Sequence, residues 1–373
     1  MRLVWVWDLP TRLFHWILVG CVIAALATAF IAPASWLSWH VTAGYALATL
    51  LLFRFVWAVF GSGYSRVASF AYRPQQVIGY LSELLKLRPP HYVGHNPAGA
   101  AMIFALAAVL TALVATGFMV QGGQEKQGPF AAVTSFAVGS GARSIHNFFA
   151  YALIALVIAH LAGVFADARL HRSSLVRAMV TGWKRIPAEL PIERIRPARI
   201  GPAILAFSAL SFPTAASLVL LSRLPPLGVP AMIPDKAWAT ECGGCHYAFH
   251  PSLLPRASWA AIMAGLHDHF GEDASLPPAA AGEIAAFLQT YAAEAWDTKA
   301  ARLVARVAPD DPLRITASPF WVRRHRRLDP SVFADPAVKA KSNCIACHRD
   351  TDGGRFDAQA IILPNTAASW GTP

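Results

Sequence analysis

The sequence predicts an all-α membrane protein: a four-helix transmembrane bundle, a fifth membrane helix and a small, mostly α domain beyond it. Of the 373 residues only 14% are charged, against about 25% in soluble domains. After residue 222 the composition becomes that of a small soluble domain, with many prolines and helical patterns near 257–270 and 279–296. We therefore expect three parts: a membrane domain (1–185), a segment with the fifth helix and a Pro-rich linker (186–236), and an exported domain (237–373).

Five apolar runs are long enough to cross a bilayer, which takes about 20 residues. They lie at roughly 13–32, 39–60, 97–120, 143–166 and 202–222. A cleaved signal peptide is the alternative for the first run, because Ala32-Pro33-Ala34 resembles a cleavage site. The charged and aromatic stretch that opens this run, and its His15, favour a retained helix.

Basic residues concentrate in two loops and indicate the orientation, because cytoplasmic loops carry the excess of lysine and arginine. The loops on the other side are almost neutral: residues 33–38 carry no charge, and residues 121–142 carry only Glu125 and Lys126. The basic set is Arg66, Arg73, Lys86, Arg88, Arg169, Arg172, Arg177, Lys184, Arg185, Arg194, Arg196 and Arg199. We expect a cytoplasmic N-terminus and a periplasmic C-terminal domain at a bacterial inner membrane. The formal net charge of +11 then reflects orientation in a lipid bilayer and does not indicate a nucleic acid partner.

Histidines lie in or at the ends of the apolar runs, where an ionisable residue usually has a function. They are His15, His40, His146 and His160. His146 and His160 are fourteen residues apart, so they rotate about 1,400°, some 40° short of four turns, and differ by about 21 Å in height. The two side chains therefore lie on the same face of one helix, one near each surface of the membrane.

The heights of these histidines match in pairs. With the N-terminus inside, His15 lies level with His160 near the cytoplasm, and His40 lies level with His146 near the periplasm. Two axial imidazoles are what a low-spin haem b needs, so the sequence predicts two haem b groups stacked across the membrane. No carboxylate in the membrane marks a quinone pocket.

The exported domain contains two identical motifs, Cys242-Gly-Gly-Cys245-His246 and Cys344-Ile-Ala-Cys347-His348. In the C-x-x-C-H motif the two thiols attach a haem c covalently and the histidine binds its iron. A redox dithiol or a zinc site is the alternative, but the histidine directly after both motifs favours haem. Four of the five cysteines belong to the motifs, so no disulfide framework is expected.

Each haem c also needs a sixth ligand from elsewhere in the domain. The candidates are His250, His267, His269, His325, Met232 and Met263. His267 and His269 cannot face one iron from a helix, because residues two apart point about 200° apart. His250 stands where we expect a surface or packing residue.

Three sequence stretches resemble the bacterial cytochrome b-561 family, which includes cytochrome b subunits of nickel-iron hydrogenases. They are WDLPTRLFHW at 7–16, HVTAGY at 40–45 and GHNPAG at 94–99, and the resemblance covers about residues 3–185. It implies a four-helix di-haem quinone oxidoreductase with His15, His40, His146 and His160 as ligands. His95, within the third stretch, is interpreted as a helix cap, with a quinone or haem propionate contact as the alternative.

The exported domain resembles the bacterial di-haem cytochrome c family over about residues 238–364. The similarity lies in LPRASW at 254–259, DHFGEDASL at 268–276, and Ile315-Thr316 followed by His325. It implies bis-histidine ligation through His269 and His325. On sequence proximity alone, we pair His246 with His269 and His348 with His325.

Together these patterns predict electron transfer between quinone or quinol and a periplasmic soluble cytochrome or haem protein, of the quinol:cytochrome oxidoreductase type. The cofactors would be two haem b and two haem c. One alternative is a superoxide or quinone oxidoreductase that acts at the b haems. Another is a haem-based gas sensor, and homodimer formation is left open.

Overall fold

The computed structural model describes residues 1–171, 175–192 and 196–363. The predicted basic residues Arg172 and Arg194 lie outside these ranges. The described part is mostly helical and, by contacts within the chain, divides into two compact units. One unit contains Met1–Ile31, Trp39–Gly117 and Ala142–Ser217, and the other contains Ala32–Ser38, Phe118–Gly141 and the chain from Leu218 onward.

The first 223 residues form seven α-helices and two short strands among the described residues, in the order β1, α1 to α6, β2 and α7. Their bounds are β1 Arg2–Trp5, α1 Leu9–Phe30, α2 Leu37–Phe60, α3 Pro74–Leu85, α4 Pro97–Gln124, α5 Phe136–His171, α6 Leu175–Thr181, β2 Trp183–Ile186 and α7 Ile200–Arg223. The strands form an antiparallel ribbon in which Arg2 pairs with Ile186.

Five of these helices are long and apolar enough to span a membrane, namely α1, α2, α4, α5 and α7. The predicted runs and these helices coincide, and the chain is a membrane protein. Helix α5, with 36 residues, exceeds the length that a bilayer requires, which is about 20 residues. Its C-terminal extension carries polar residues beyond the apolar run. Helix α7, expected as a tether, also packs Ala203 and Phe207 against Val56 and Trp57 of α2.

Asp8 organises the N-terminus of α1. Its side chain accepts a hydrogen bond from the Thr11 backbone N–H at 2.9 Å, which caps the helix. The second carboxylate oxygen accepts hydrogen bonds from Trp57 Nε1 at 3.1 Å and Ser65 Oγ at 3.0 Å, and from the Ser62 hydroxyl. Burial acts to raise the pKa of Asp8, but these hydrogen bonds outweigh it and lower the pKa. The start of α1 is thereby joined to the end of α2.

The second unit is built around a core from the C-terminal segment, with Trp238, Leu253, Leu254, Ile284 and Leu288 at its centre. Its helices are α8 Lys236–Glu241, α9 Arg256–Ala264, α10 Pro278–Thr290 and α11 Pro319–His325, joined by short 3₁₀ turns and a π-helical turn at Ala300–Val304. Helices α9 and α10 pack against each other. The expected stretches near 257–270 and 279–296 correspond to α9 and α10, although both helices end sooner.

The loop between α4 and α5 belongs to this second unit, and its two charged residues are both paired there. The Lys126 ammonium lies 2.9 Å from the Asp297 carboxylate, and only 3% of the Lys126 side chain is exposed. The Glu125 carboxylate accepts hydrogen bonds from the Lys299 ammonium. Removing one partner of a buried ion pair lowers the free energy of unfolding by about 3–5 kcal/mol, because the other charge is left uncompensated. The loop is therefore an integral part of the C-terminal segment's structure.

Candidate haem sites

Helices α2 and α5 bring His40 and His146 together. Their ring centres are 6.1 Å apart with the planes inclined by 73°. His40 Nδ1 donates to the Ala25 carbonyl at 3.0 Å. His146 Nδ1 lies 3.0 Å from the Thr116 hydroxyl, which itself donates to the Ala112 carbonyl. A partner on Nδ1 fixes the tautomer and orientation of a metal-binding imidazole, and the Nε2 atom is left for iron.

His15 lies on α1 and His160 on α5, close enough for a charge on His160 to be felt at His15. The His15 ring also contacts the Trp16 ring edge-on, with centres 5.1 Å apart. Among the described residues, His15 Nδ1 is buried without a hydrogen-bond partner. The structure thus brings this second pair into one region, without the anchored Nδ1 atoms of the first pair.

The first C-x-x-C-H motif follows directly after α8, and its His246 faces His269. The two ring centres are 6.1 Å apart with nearly parallel planes, inclined by 26°. His246 Nδ1 donates to the Tyr247 carbonyl at 2.8 Å. His269 lies in a turn after a 3₁₀ helix, where its backbone N–H donates to the Glu272 carbonyl at 2.7 Å. The rival His267 is exposed and interacts with Asp273 instead.

The second motif places His348 opposite His325, the last residue of α11. Their ring centres are 6.2 Å apart. His325 Nδ1 donates to the Trp321 carbonyl at 2.8 Å, and its ring stacks on Trp321 at 4.3 Å. Burial lowers the pKa of His348 to about 4, and the charge of His325 adds to this effect, so the ring is held in the neutral form that binds metal ions.

The ring spacing in three of the four pairs fits a haem iron between the histidines. An imidazole nitrogen binds a metal ion at about 2 Å, and a ring centre lies about 1 Å behind its nitrogen, so two rings on opposite sides of one iron have centres about 6 Å apart. The observed spacings are 6.1, 6.1 and 6.2 Å. The described cysteines Cys242, Cys245, Cys344 and Cys347 are free thiols, as covalent attachment of haem c requires.

Two further histidines have structural roles. His250 is buried, its ring lies 4.8 Å from the Trp296 ring, and its Nδ1 atom contacts the Ser252 hydroxyl at 2.8 Å. This agrees with a packing role. The interpretation of His95 as a helix cap was wrong, because Asn96 caps α4 by accepting the Gly99 N–H at 2.7 Å. The buried His95 ring packs 4.5 Å from the Trp7 ring, and burial, reinforced by neighbouring cations, lowers the His95 pKa to about 3.

A polar cluster at the C-terminal end of α5 was missed by the sequence reasoning, which noted no carboxylate in the membrane runs. Asp167 is 8% exposed and belongs to a candidate membrane span. Its carboxylate contacts His171 Nδ1 at 3.1 Å and accepts a hydrogen bond from Asn96 Nδ2 at 3.1 Å. It lies seven residues after His160, about 700° of rotation or 20° short of two turns, and so on the same helix face. The i, i+4 spacing of Asp167 and His171 was a readable signal of this cluster.

The cluster continues into the surrounding loops and lines a small pocket with Pro90, His91, Tyr92, Lys184, Arg185 and Ile186. The His91 and His171 ring centres are 4.1 Å apart, and His171 Nε2 donates to the Pro89 carbonyl at 3.1 Å. The hydrogen bond with Asp167 raises the pKa of His171, whereas burial lowers the pKa of Lys184. Of this cluster, His171 is the group whose protonated form the Asp167 carboxylate favours.

Comparison with known proteins divides the chain in two. Residues 6–182 match the family model for prokaryotic cytochrome b561, and residues 238–356 match that for dihaem cytochrome c. A probable Ni/Fe-hydrogenase B-type cytochrome subunit from Cupriavidus necator is 26% identical, with 49% of this chain and 88% of the relative covered. The corresponding hydrogenase 1 subunit from Escherichia coli is 24% identical, with 48% and 90% covered.

Solved structures resemble the C-terminal part. A diheme cytochrome c from Rhodobacter sphaeroides is 39% identical, with 34% of this chain and 100% of that chain covered and a TM-score of 0.30. A diheme cytochrome type c from Shewanella baltica is 31% identical, with 37% and 100% covered and a TM-score of 0.30.

The two matches assign haem b to the membrane helices and haem c to the C-terminal segment, and the function is electron transfer at a membrane. The chain therefore carries a prokaryotic cytochrome b561 domain at residues 6–182 and a dihaem cytochrome c domain at residues 238–356.

Proposed function

We propose that this protein passes electrons between the quinone pool and a soluble periplasmic redox protein through two haem b and two haem c groups. The observation that carries the proposal is the spacing of 6.1–6.2 Å between facing imidazoles, which recurs in the membrane bundle and at both C-x-x-C-H motifs. Each bound haem takes up and releases one electron. The chain's own residues orient the iron ligands and surround them with apolar side chains.

The ligand assignment follows the facing pairs. His15 and His160 hold one haem b, and His40 and His146 hold the other. Cys242 and Cys245 attach the first haem c, with His246 and His269 on its iron. Cys344 and Cys347 attach the second, with His348 and His325 on its iron. Bis-histidine haems usually have low potentials, so a strongly oxidising partner draws electrons onward.

The protein would lie in a bacterial inner membrane with its N-terminus in the cytoplasm and residues 237–373 in the periplasm. The arginine-rich loops support this orientation. Residues 32–38 and 118–141, which connect membrane helices, form one compact unit with the C-terminal segment. Five spans place these loops and the segment on the same side of the membrane, so this unit supports the number of spans, whereas the orientation rests on the arginine-rich loops.

Quinol oxidation releases protons, and the Asp167 cluster can accept them. Asp167 lies two helical turns beyond His160, about 10 Å along the axis, on the face of α5 that carries the haem ligands. His171, whose pKa is raised by Asp167, continues from the carboxylate towards His91 and the pocket. In this proposal quinol binds near the His15/His160 haem, and Asp167 receives its proton.

The haem inventory tests the ligand assignment. Acid-acetone extraction of the purified chain should release two haems, and two should remain bound covalently. Quinol added to the chain in vesicles should reduce both kinds of haem, which a reduced-minus-oxidised spectrum records. Retention of all haem after extraction, or c haems that quinol cannot reduce, would contradict the proposal.

Substitution Asp167→Asn should slow reduction of the b haems by quinol about 100-fold, the usual contribution of a proton-accepting group. Dithionite, which delivers electrons without a proton step, should reduce the variant normally. Glu83→Gln is the matched control, because Glu83 lies in α3, outside the pocket that Asp167 lines, and pairs with Lys86 at a partly exposed position. Equal quinol rates in the Asp167→Asn and Glu83→Gln variants would exclude Asp167 from proton transfer.

A further inference from the structure

Loops that join membrane helices contact the segment that follows the second C-x-x-C-H motif. Arg355 donates to the Glu125 carbonyl at 2.7 Å, and Gln127 Nε2 donates to the Asp357 carboxylate at 2.6 Å. The turn at Ala34–Trp36 packs against Ala358–Ala360. Two separate loops, one after α1 and one after α4, therefore converge on residues 355–360.

Residues 349–362 are bound closely to the second motif. The Ile362 N–H donates to the Cys347 carbonyl at 2.8 Å, and the Arg349 N–H donates to the Ala360 carbonyl at 3.1 Å. The Phe356 ring lies 5.3 Å from the His348 ring. The residues that the loops contact are thus the immediate surroundings of the second haem ligand.

Chain connectivity places this contact at the membrane surface. Gln127 follows the end of α4 at Gln124 by three residues, which span at most about 10 Å. The turn at Ala34–Trp36 directly precedes α2. The buried pairs Lys126–Asp297 and Glu125–Lys299 hold the same loop in place. The second haem c site therefore belongs to the same compact unit as the end of α4 and the turn before α2.

The two motifs have surfaces of opposite charge. Residues 241–246 and 267–273, which surround the first site, contain four acids and no lysine or arginine: Glu241, Asp268, Glu272 and Asp273. All four are exposed. Arg314 lies over the nearby Phe270 ring at 4.6 Å, but it is paired with Asp311 at 2.9 Å and adds little net charge.

The second site is basic. Residues 323–327 and 339–357 contain eight cations against three acids. The cations are Arg323, Arg324, Arg326, Arg327, Lys339, Lys341, Arg349 and Arg355, and the acids are Asp350, Asp352 and Asp357. All of these cations except Arg355 are exposed. A basic surface is suited to the anionic headgroups of a bilayer, beside which the loops hold this site.

We propose that the second haem c exchanges electrons with the membrane haems, and that the first exchanges them with a soluble redox protein that docks its basic face on the acidic surface around Cys242–His246 and His269. The inference rests on the proposed function. Electrons then cross the C-terminal segment one at a time, from the ferrous haem at the second motif to the ferric haem at the first motif. This order is the reverse of the order of the motifs in the sequence. Complementary charge accelerates the encounter with such a partner.

Removal of each haem attachment site tests the order in the full chain in vesicles. In Cys242→Ser/Cys245→Ser, quinol should still reduce the remaining c haem. In Cys344→Ser/Cys347→Ser, quinol should reduce the b haems only, although dithionite should reduce the remaining c haem. The reverse pattern would overturn the proposal. Failure of quinol to reduce any haem in the unaltered chain would instead contradict the proposed function.

Charge variants test the docking surface even if a cysteine variant fails to fold. Mitochondrial cytochrome c, a basic soluble redox protein, serves as the acceptor, and the same protein with succinylated lysines is its charge-reversed counterpart. The basic form should be reduced faster, and Glu272→Gln/Asp273→Asn should lower this rate about fivefold at low ionic strength. Arg323→Gln/Arg326→Gln should leave it unchanged. Preference for the succinylated form, lost in the arginine variant, would place the exit at the second haem.

Discussion

The variant His160→Ala should lose one of the two extractable haems and keep both covalent ones. In the proposed assignment, alanine would remove one of the two histidines that hold this haem b, and non-covalent haem depends on both. The other pair, His40 and His146, is held by its own hydrogen bonds to Ala25 and Thr116 and should retain its haem. Quinol should then no longer reduce the c haems, while dithionite should.

Two matched variants make the result specific. His146→Ala should remove the other extractable haem, so the double variant should have none. His91→Ala, which changes an exposed histidine outside the membrane spans, should keep both. Pyridine haemochrome spectra before and after extraction measure all of these. Loss of all four haems from His160→Ala would mean that the variant misfolds or that the ligand assignment is wrong.

The second large effect is expected at the first haem c. In His269→Ala the haem stays attached through Cys242 and Cys245 but loses its sixth ligand, so the ferrous form should bind carbon monoxide rapidly at that iron. His267→Ala is a close control, two residues away and exposed. It should leave the haem six-coordinate, because the structure turns His269 towards His246 at 6.1 Å.

Absorption spectra of the reduced variants with and without carbon monoxide provide the measurement. One of the two covalent haems should bind carbon monoxide in His269→Ala, and neither should bind it in His267→Ala. Carbon monoxide binding in His267→Ala alone would mean that His267, and not His269, is the sixth ligand. A rapid response in the unaltered chain would favour the gas-sensor alternative, since an open site would then exist without any substitution.

Much of the membrane half was predictable because its signals are local. The apolar run at 143–166 became α5, although the helix is longer than the run at both ends and covers Phe136–His171. The shared helix face of His146 and His160, and their separation of about 21 Å along the axis, follow from the helical repeat alone. The Asp167 cluster was missed because Asn96 and Lys184, which complete it, are distant in sequence from Asp167.

The C-terminal half shows what residue spacing alone leaves undecided. A helix would have oriented His267 and His269 about 200° apart without indicating which faces the iron. The structure has instead a 3₁₀ turn at Leu266–Asp268 followed by Phe270 and Gly271 with positive φ, and this turn directs His269 to His246. Such a turn is selected by its packing and hydrogen bonds, and residue spacing does not encode it.

The sequence by itself determined the cofactor type, because C-x-x-C-H and histidines in apolar helices have a local chemical meaning. It also predicted the five apolar helices that the described residues contain. Only the tertiary structure decided how the C-terminal segment is held. Glu125 and Lys126, two charges in an almost neutral loop, find Lys299 and Asp297 more than 170 residues away. Residues that far apart in sequence come into contact only when the whole chain is packed, so a short-range sequence pattern does not predict their pairing.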